Sequence, residues 1–121
     1  VKSIGYAASA SGIYLANTVF PKIFNDPDVI FKKSKKILSE RVGSVIFRGD
    51  VEIGFQQYSE LLPIKGIKII GMLPKEIRKS FIFGSAMSNN SPSEPIYRNL
   101  IKFIKHDDIQ KFITNSGLKI L

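Results

Sequence analysis

Two short stretches of this 121-residue chain hold residue types suited to binding a small polar or charged ligand. One is Ile53-Gly54-Phe55-Gln56-Gln57-Tyr58-Ser59-Glu60-Leu61-Leu62-Pro63. There an apolar strand runs into two adjacent amides, two hydroxyl-bearing residues, a carboxylate and a short apolar turn. An amide donates and accepts hydrogen bonds without adding charge, which suits a polar or anionic ligand. The strand period of two sends Gln56 and Gln57 to opposite faces, so at most one of them faces a given cleft. The other stretch is Ser9-Ala10-Ser11-Gly12-Ile13-Tyr14, where a strand gives way to a helix. A helix start presents unpaired N–H groups to an anion. Gly12 lets a ligand approach the backbone closely, and the serines add hydroxyls.

Residues for catalysis are sparse. His106, the single histidine, lies between Lys105 and Asp107 and is read as a surface residue. With no cysteine and no histidine pair, no metal site of the usual kind is expected, and disulfides and thiol nucleophiles are excluded. Asp50 and Glu52 share a strand face at its start, away from the ligand end, and with Glu60 they are read as solvated charges. Arg48-Gly49-Asp50 spells an adhesion tripeptide but reads as a helix end feeding a strand. The expectation is therefore a binder, not an enzyme, with no cofactor.

Eighteen Lys and Arg against ten Asp and Glu give a net charge of +8. Such an excess can mark a nucleic-acid or membrane-surface binder, or draw in an anionic ligand. The lysines are spread along the chain, and the one dense run, Lys32-Lys33-Ser34-Lys35-Lys36, reads as a solvated loop without interleaved aromatics. No nucleic-acid partner is expected. No apolar run is long enough to span a bilayer. No signal peptide is visible, and Val1 in place of Met favours a processed or trimmed chain.

The elements that must position these residues follow from periodicity. Ser3 to Tyr6 is a candidate strand. Ser11 to Phe24 carries Ala16, Val19, Phe20, Ile23 and Phe24 on one helical stripe. Ser9 or Ser11 can cap it, and Pro21 should kink or stop it. Val29-Ile30-Phe31 reads as a strand stub. A second helix opens at Ser39 to Gly43 and ends near Gly49. Val51 to Phe55 is a buried strand and Ser59 to Leu62 one helical turn. Ile67 to Leu73 and Ser80 to Met87 are two further strands. Two helices close the chain, one through Ile96, Leu100, Ile101 and Ile104, the other through Ile109, Phe112 and Ile113, stopping at Asn115 to Gly117. Strands alternating with helices predict an α/β fold, a mixed, mostly parallel sheet flanked by helices.

Taken in order, Ser11 to Ala16, Phe47 to Gln57 and Ser59 to Pro63 resemble the molybdate-type extracellular solute-binding proteins of ABC transporters. The Ile67 to Pro74 segment and Asn115-Ser116-Gly117-Leu118 fit the same pattern. The resemblance implies a type II periplasmic-binding-protein fold, two lobes with the ligand between them, and it covers the C-terminal half. Residues 1–79 would form the second lobe, and residues 80–121 the return strand and C-terminal helices belonging to the first lobe. It implies a small oxyanion or polar anionic solute, a transporter permease as partner, and a periplasmic or extracytoplasmic location. Residue by residue, Ser11, with Ser9 and Gly12, falls at the family's helix-start amide. The Ser39 to Val42 segment, including Arg41, falls at a second backbone amide. Gln57, with Gln56 and Tyr58 beside it, falls where molybdate binders place a tyrosine, a departure that bears on molybdate itself. Exposed interlobe surface, with Ile101, Ile104 and Phe112 partly uncovered, implies self-association. The alternative is the effector-binding domain of a LysR-type transcription regulator, which shares the bilobal fold.

Overall fold

The computed structural model describes residues 1–120. Three strands, β1 (Ile4–Ala7), β2 (Ser34–Ile37) and β3 (Ile53–Phe55), form one sheet in the order β2-β1-β3. Both pairings are parallel, with Ile4 opposite Ser34 on one side and opposite Ile53 on the other. The chain separates into two compact units, Val1–Ser80 and Phe81–Leu121.

Parallel strands need crossovers, and here the crossovers are helical. After β1 come α1 (Ala10–Tyr14), a π-helical turn (Leu15–Val19) and α2 (Phe20–Ile23). The sequence stripe predicts this helix, and Pro21 neither stops it nor ends it. The π turn lies immediately before the proline, where its wider hydrogen-bond spacing relieves the clash that a proline ring makes in a regular helix. Then α3 (Pro27–Lys33) occupies the stretch where Val29-Ile30-Phe31 read as a strand. End effects decide it. Asp26 caps the start by accepting from the Asp28 N–H at 3.0 Å, and Lys32 and Lys33 lie in the last turn. The lysine run is likewise not a loop. Ser34, Lys35 and Lys36 belong to β2, whose two lysines are exposed on an edge strand, where charge discourages pairing with another chain.

Alternation in β1 and β3 sorts large and small residues to opposite faces. Ile4, Tyr6, Ile53 and Phe55 join Leu15, Val19, Phe20 and Ile30 on one face. Phe20, fully buried, meets Tyr6, Phe24, Phe31 and Phe55 edge-on at centroid distances of 5.9–6.5 Å. The other face carries Gly5, Ala7 and Gly54, and α4 (Val42–Phe47) lies directly on it. A Cβ on Gly54 would sit 2.4 Å from Val42 Cγ1, so the glycine sets how closely α4 approaches the sheet.

After β3, α5 (Tyr58–Leu61) supplies the single expected turn. Beyond it, Ile67 to Leu73 is not a strand. Ile64 and Ile67 pack by Gly43, Leu73 and Ile77 join the aromatic face, and Tyr14 donates to the Ile77 carbonyl at 3.0 Å. Residues 80–87 have no regular secondary structure either. Both segments carry strand-forming residues, but no strand pairs with them among the described residues. In the second unit, α6 (Glu94–Ile104) and α7 (Asp107–Asn115) form as expected, and Gly117, at φ 82°, follows the last turn of α7.

Replacing Phe20 by Ala is expected to cost about 3–5 kcal/mol of unfolding free energy by urea titration. Replacing the exposed Phe103 should cost about 0.5 kcal/mol or less. Equal losses at both positions would refute this account of the core.

Candidate functional site

Because all three strands run the same way, their carboxyl ends meet at one edge of the sheet, where ligands of open α/β sheets bind. A shallow hollow of about 380 Å³ lies there. Its walls are the chain leaving each strand: Ala7, Ala8 and Ser9 after β1, Ile37 to Arg41 after β2, and Gln56 and Glu60 after β3. A larger hollow of about 670 Å³ runs along α7, lined by side chains such as Asp107, Gln110 and Lys111. No strand end lines that one.

Gln56 ties the site together. Its Oε1 accepts from the Val42 backbone N–H at 2.8 Å, and its Nε2 donates to Glu60 Oε2. The amide thus takes one of the unpaired N–H groups at the start of α4, where the Arg41 side chain provides no cap. The reverse amide orientation would set two donors against each other at Val42, so the orientation is fixed. The close seat of α4 on Gly54 brings Val42 within reach of Gln56.

Ser9 stands at the N-cap position of α1, yet neither it nor Ser11 caps the helix. Their hydroxyls lie 2.9 Å apart, hydrogen-bonded to each other, and no side chain of the N-cap residue bonds into the first turn. Gly12 is buried, and a Cβ there would fall 1.6 Å from the Ala7 carbonyl oxygen. Its bare backbone is required by the chain's own strand-to-helix turn. The structure brings Ser9, Arg41 and Gln56 to the hollow, while Ser11, Gly12, Val42, Gln57 and Tyr58 lie outside its lining. The Val42 amide is engaged by Gln56, Gln57 stands at the N-cap of α5, and Tyr58 is exposed in that turn.

Two carboxylates that sequence reasoning did not single out as ligand-binding also line the hollow, Glu40 and Glu60. Glu40 is locked in a bidentate pair with Arg48, at 2.7 and 2.8 Å. Arg48 also reaches Asp50 at 3.0 Å. The Arg48 guanidinium, chiefly through these hydrogen bonds, holds the Glu40 carboxyl below its usual value, and the carboxylates in turn raise that of Arg48. Glu52 accepts from the Lys2 backbone N–H at 2.5 Å, at the opposite end of β3. His106 is exposed at the start of α7. Among the described residues no group of acidic, histidine or cysteine side chains is arranged to hold a metal. The signal for Glu60 was its spacing, since residues four apart across a strand end and a helical turn can share one hydrogen bond.

Replacing Gln56 by Leu leaves the Val42 N–H without its acceptor and should cost about 1–3 kcal/mol of stability by urea unfolding. An unchanged midpoint would show that the bridge is not made. Glu40 is a depressed carboxyl. Its pairing therefore contributes stability above the unfolded-state value and loses it as the pH falls through the folded value. An Arg48→Gln variant should show Glu40 titrating at higher pH in a carboxyl NMR titration. Identical titration in both proteins would remove the assigned cause.

Residues 2–119 match the family of bacterial extracellular solute-binding proteins. A protein named aconitate isomerase, from Pseudomonas sp, is 37% identical over 118 residues, covering 98% of this chain and 45% of that relative. The chain thus spans less than half the length of the curated relative it matches. No solved structure matches. The relative bears the name of an enzyme, and this corrects the expectation that the chain lies outside catalysis. That expectation rested on reading Glu60 as a solvated charge, whereas Glu60 lines the hollow. Among the described residues no helix is long and apolar enough to cross a membrane. With its parallel α/β sheet and a match over nearly its whole length, the chain belongs to the bacterial extracellular solute-binding protein family.

Proposed function

We propose that the protein containing this chain binds aconitate, or a closely similar small polycarboxylate, and interconverts its isomers. In this reading the hollow at the strand ends is one wall of the ligand cleft. The observation that carries it is the placement of Arg41, Ser9, Ser39 and Gln56 around that hollow, in a chain 37% identical to a protein named aconitate isomerase. A guanidinium pairs with a carboxylate through parallel N–H donors, the serine hydroxyls serve its second oxygen or a neighbouring group, and the overall charge of +8 draws anions inward.

In the same reading residues 1–79 are the second lobe and residues 80–121 belong to the first, whose remainder supplies the facing wall. The location is extracytoplasmic. Molybdate is a weaker candidate than a carboxylate, since Gln57 stands where molybdate binders have tyrosine. The family match favours a second reading, in which the bound solute is delivered to the permease of an ABC transporter without being changed. The family match supports solute binding over the regulator alternative.

Calorimetric titration of the full-length protein with cis-aconitate, trans-aconitate, molybdate and sulfate, followed by NMR of the aconitate, tests this. Saturable binding of aconitate with interconversion of its isomers is expected, with affinity falling about tenfold or more in Arg41→Gln. Binding without interconversion favours the transport reading. An oxyanion that binds while aconitate does not would overturn the carboxylate assignment.

A further inference from the structure

Resting on the aconitate reading, the structure also offers a residue for the chemical step. Aconitate has a carbon–carbon double bond beside a methylene that itself carries a carboxylate. Its cis and trans forms interconvert when the double bond moves. A proton leaves the methylene, and the electron pair of that C–H bond becomes a new double bond. The old double bond then takes a proton at its far carbon. One C–H bond breaks and one forms, with no net oxidation or reduction. The step needs a group that takes a proton and gives it back.

The residues lining the hollow include no histidine, lysine, cysteine or tyrosine. Two carboxylates remain, and the geometry separates them. Both oxygens of Glu40 accept from Arg48, which holds that carboxyl low and disfavours its taking up a proton. Glu60 is half-buried, and its Oε2 alone is engaged, by Gln56 Nε2. Because Gln56 is pinned from behind by the Val42 N–H, it aims Glu60 without competing for Oε1. Arg41, on the wall formed after β2, provides a fixed charge for a substrate carboxylate.

We propose that Glu60 is the proton carrier of this site, removing the methylene proton on Oε1 and returning it to the far carbon, while Arg41 holds a substrate carboxylate. Gln56 is the positioning residue that keeps the second oxygen of Glu60 occupied. The carboxylate is the group that touches the reacting carbon.

The test uses the full-length protein, with aconitate affinity by calorimetry, interconversion rate by NMR and folding by thermal melting. Glu60→Gln is expected to bind aconitate within about threefold of the parent while losing interconversion by about 100-fold or more. Glu60→Asp keeps the carboxylate one methylene further back and should fall in between, which serves if the glutamine variant does not fold. A Glu60→Gln protein that interconverts aconitate within tenfold of the parent overturns the proposal. So does one that loses binding and rate together, since Glu60 then holds substrate or structure. A parent protein that binds aconitate without interconverting it overturns the role of Glu60 and leaves the binding reading standing. A parent that does not bind aconitate overturns both.

Discussion

The constraint on which this structure depends is the parallel pairing of β1 on both of its edges. A strand paired parallel on each side cannot be reached by tight hairpins, so each neighbour requires a crossover through helices. The same pairing puts the carboxyl ends of β1, β2 and β3 side by side. The three segments leaving the sheet then share one small region, and polar residues at those positions become neighbours whatever their separation in sequence. Ser9, Arg41 and Gln56 lie within one hollow for that reason.

The two faces of the sheet are used unequally, and the inequality reaches the site. Large side chains on one face build an aromatic core around Phe20, which anchors the long helical crossover. Glycines and alanine on the other let α4 settle against the strands themselves. Only with that close seat does the first amide of α4 come within hydrogen-bond reach of a side chain on the strand end. The bridge from Val42 through Gln56 to Glu60 is thus a product of packing beneath it. Removing Gln56 would leave the N–H of the buried Val42 without its acceptor, which costs more than the bond contributes in place.

Sequence reasoning recovered the features that local pattern determines. The apolar stripe through Val19 and Phe20, the turn after Phe55 and the helices of residues 94–115 all follow from periodicity and end signals. It failed where tertiary context decides. Ile67 to Leu73 has the composition of a strand but no strand to pair with among the described residues; Ile67 packs by Gly43 and Leu73 joins the core, while Ile70 is exposed. Val29-Ile30-Phe31 is β-branched and aromatic, yet Asp26 and the trailing lysines end a helix around it. At the site, the alternation of Gln56 and Gln57 was legible, since one amide faces the hollow and the other does not. The spacing of Glu60 from Gln56 was visible in the sequence, but its place in the hollow was not, because it depends on a hydrogen bond to Gln56 whose own orientation is fixed by a residue fourteen positions earlier.

The coexistence of solute binding and isomerisation among related chains follows from what a binding cleft already provides. Fold and function are separable, and chemistry arises from the few groups set into a shared scaffold. A cleft that holds a carboxylate with fixed donors carries the positioning and electrostatic parts of a catalyst. The same donors that neutralise a bound carboxylate also stabilise the charge that spreads onto it when a neighbouring C–H bond is broken. On the proposed reading the further requirement is modest: one carboxylate at the strand ends, aimed from behind and with one oxygen free. Glu40 and Glu60 mark the two sides of that requirement. The first is closed by a bidentate arginine, the second is held open by an amide. On that reading, the partner of each carboxylate decides which of the two is available to carry a proton.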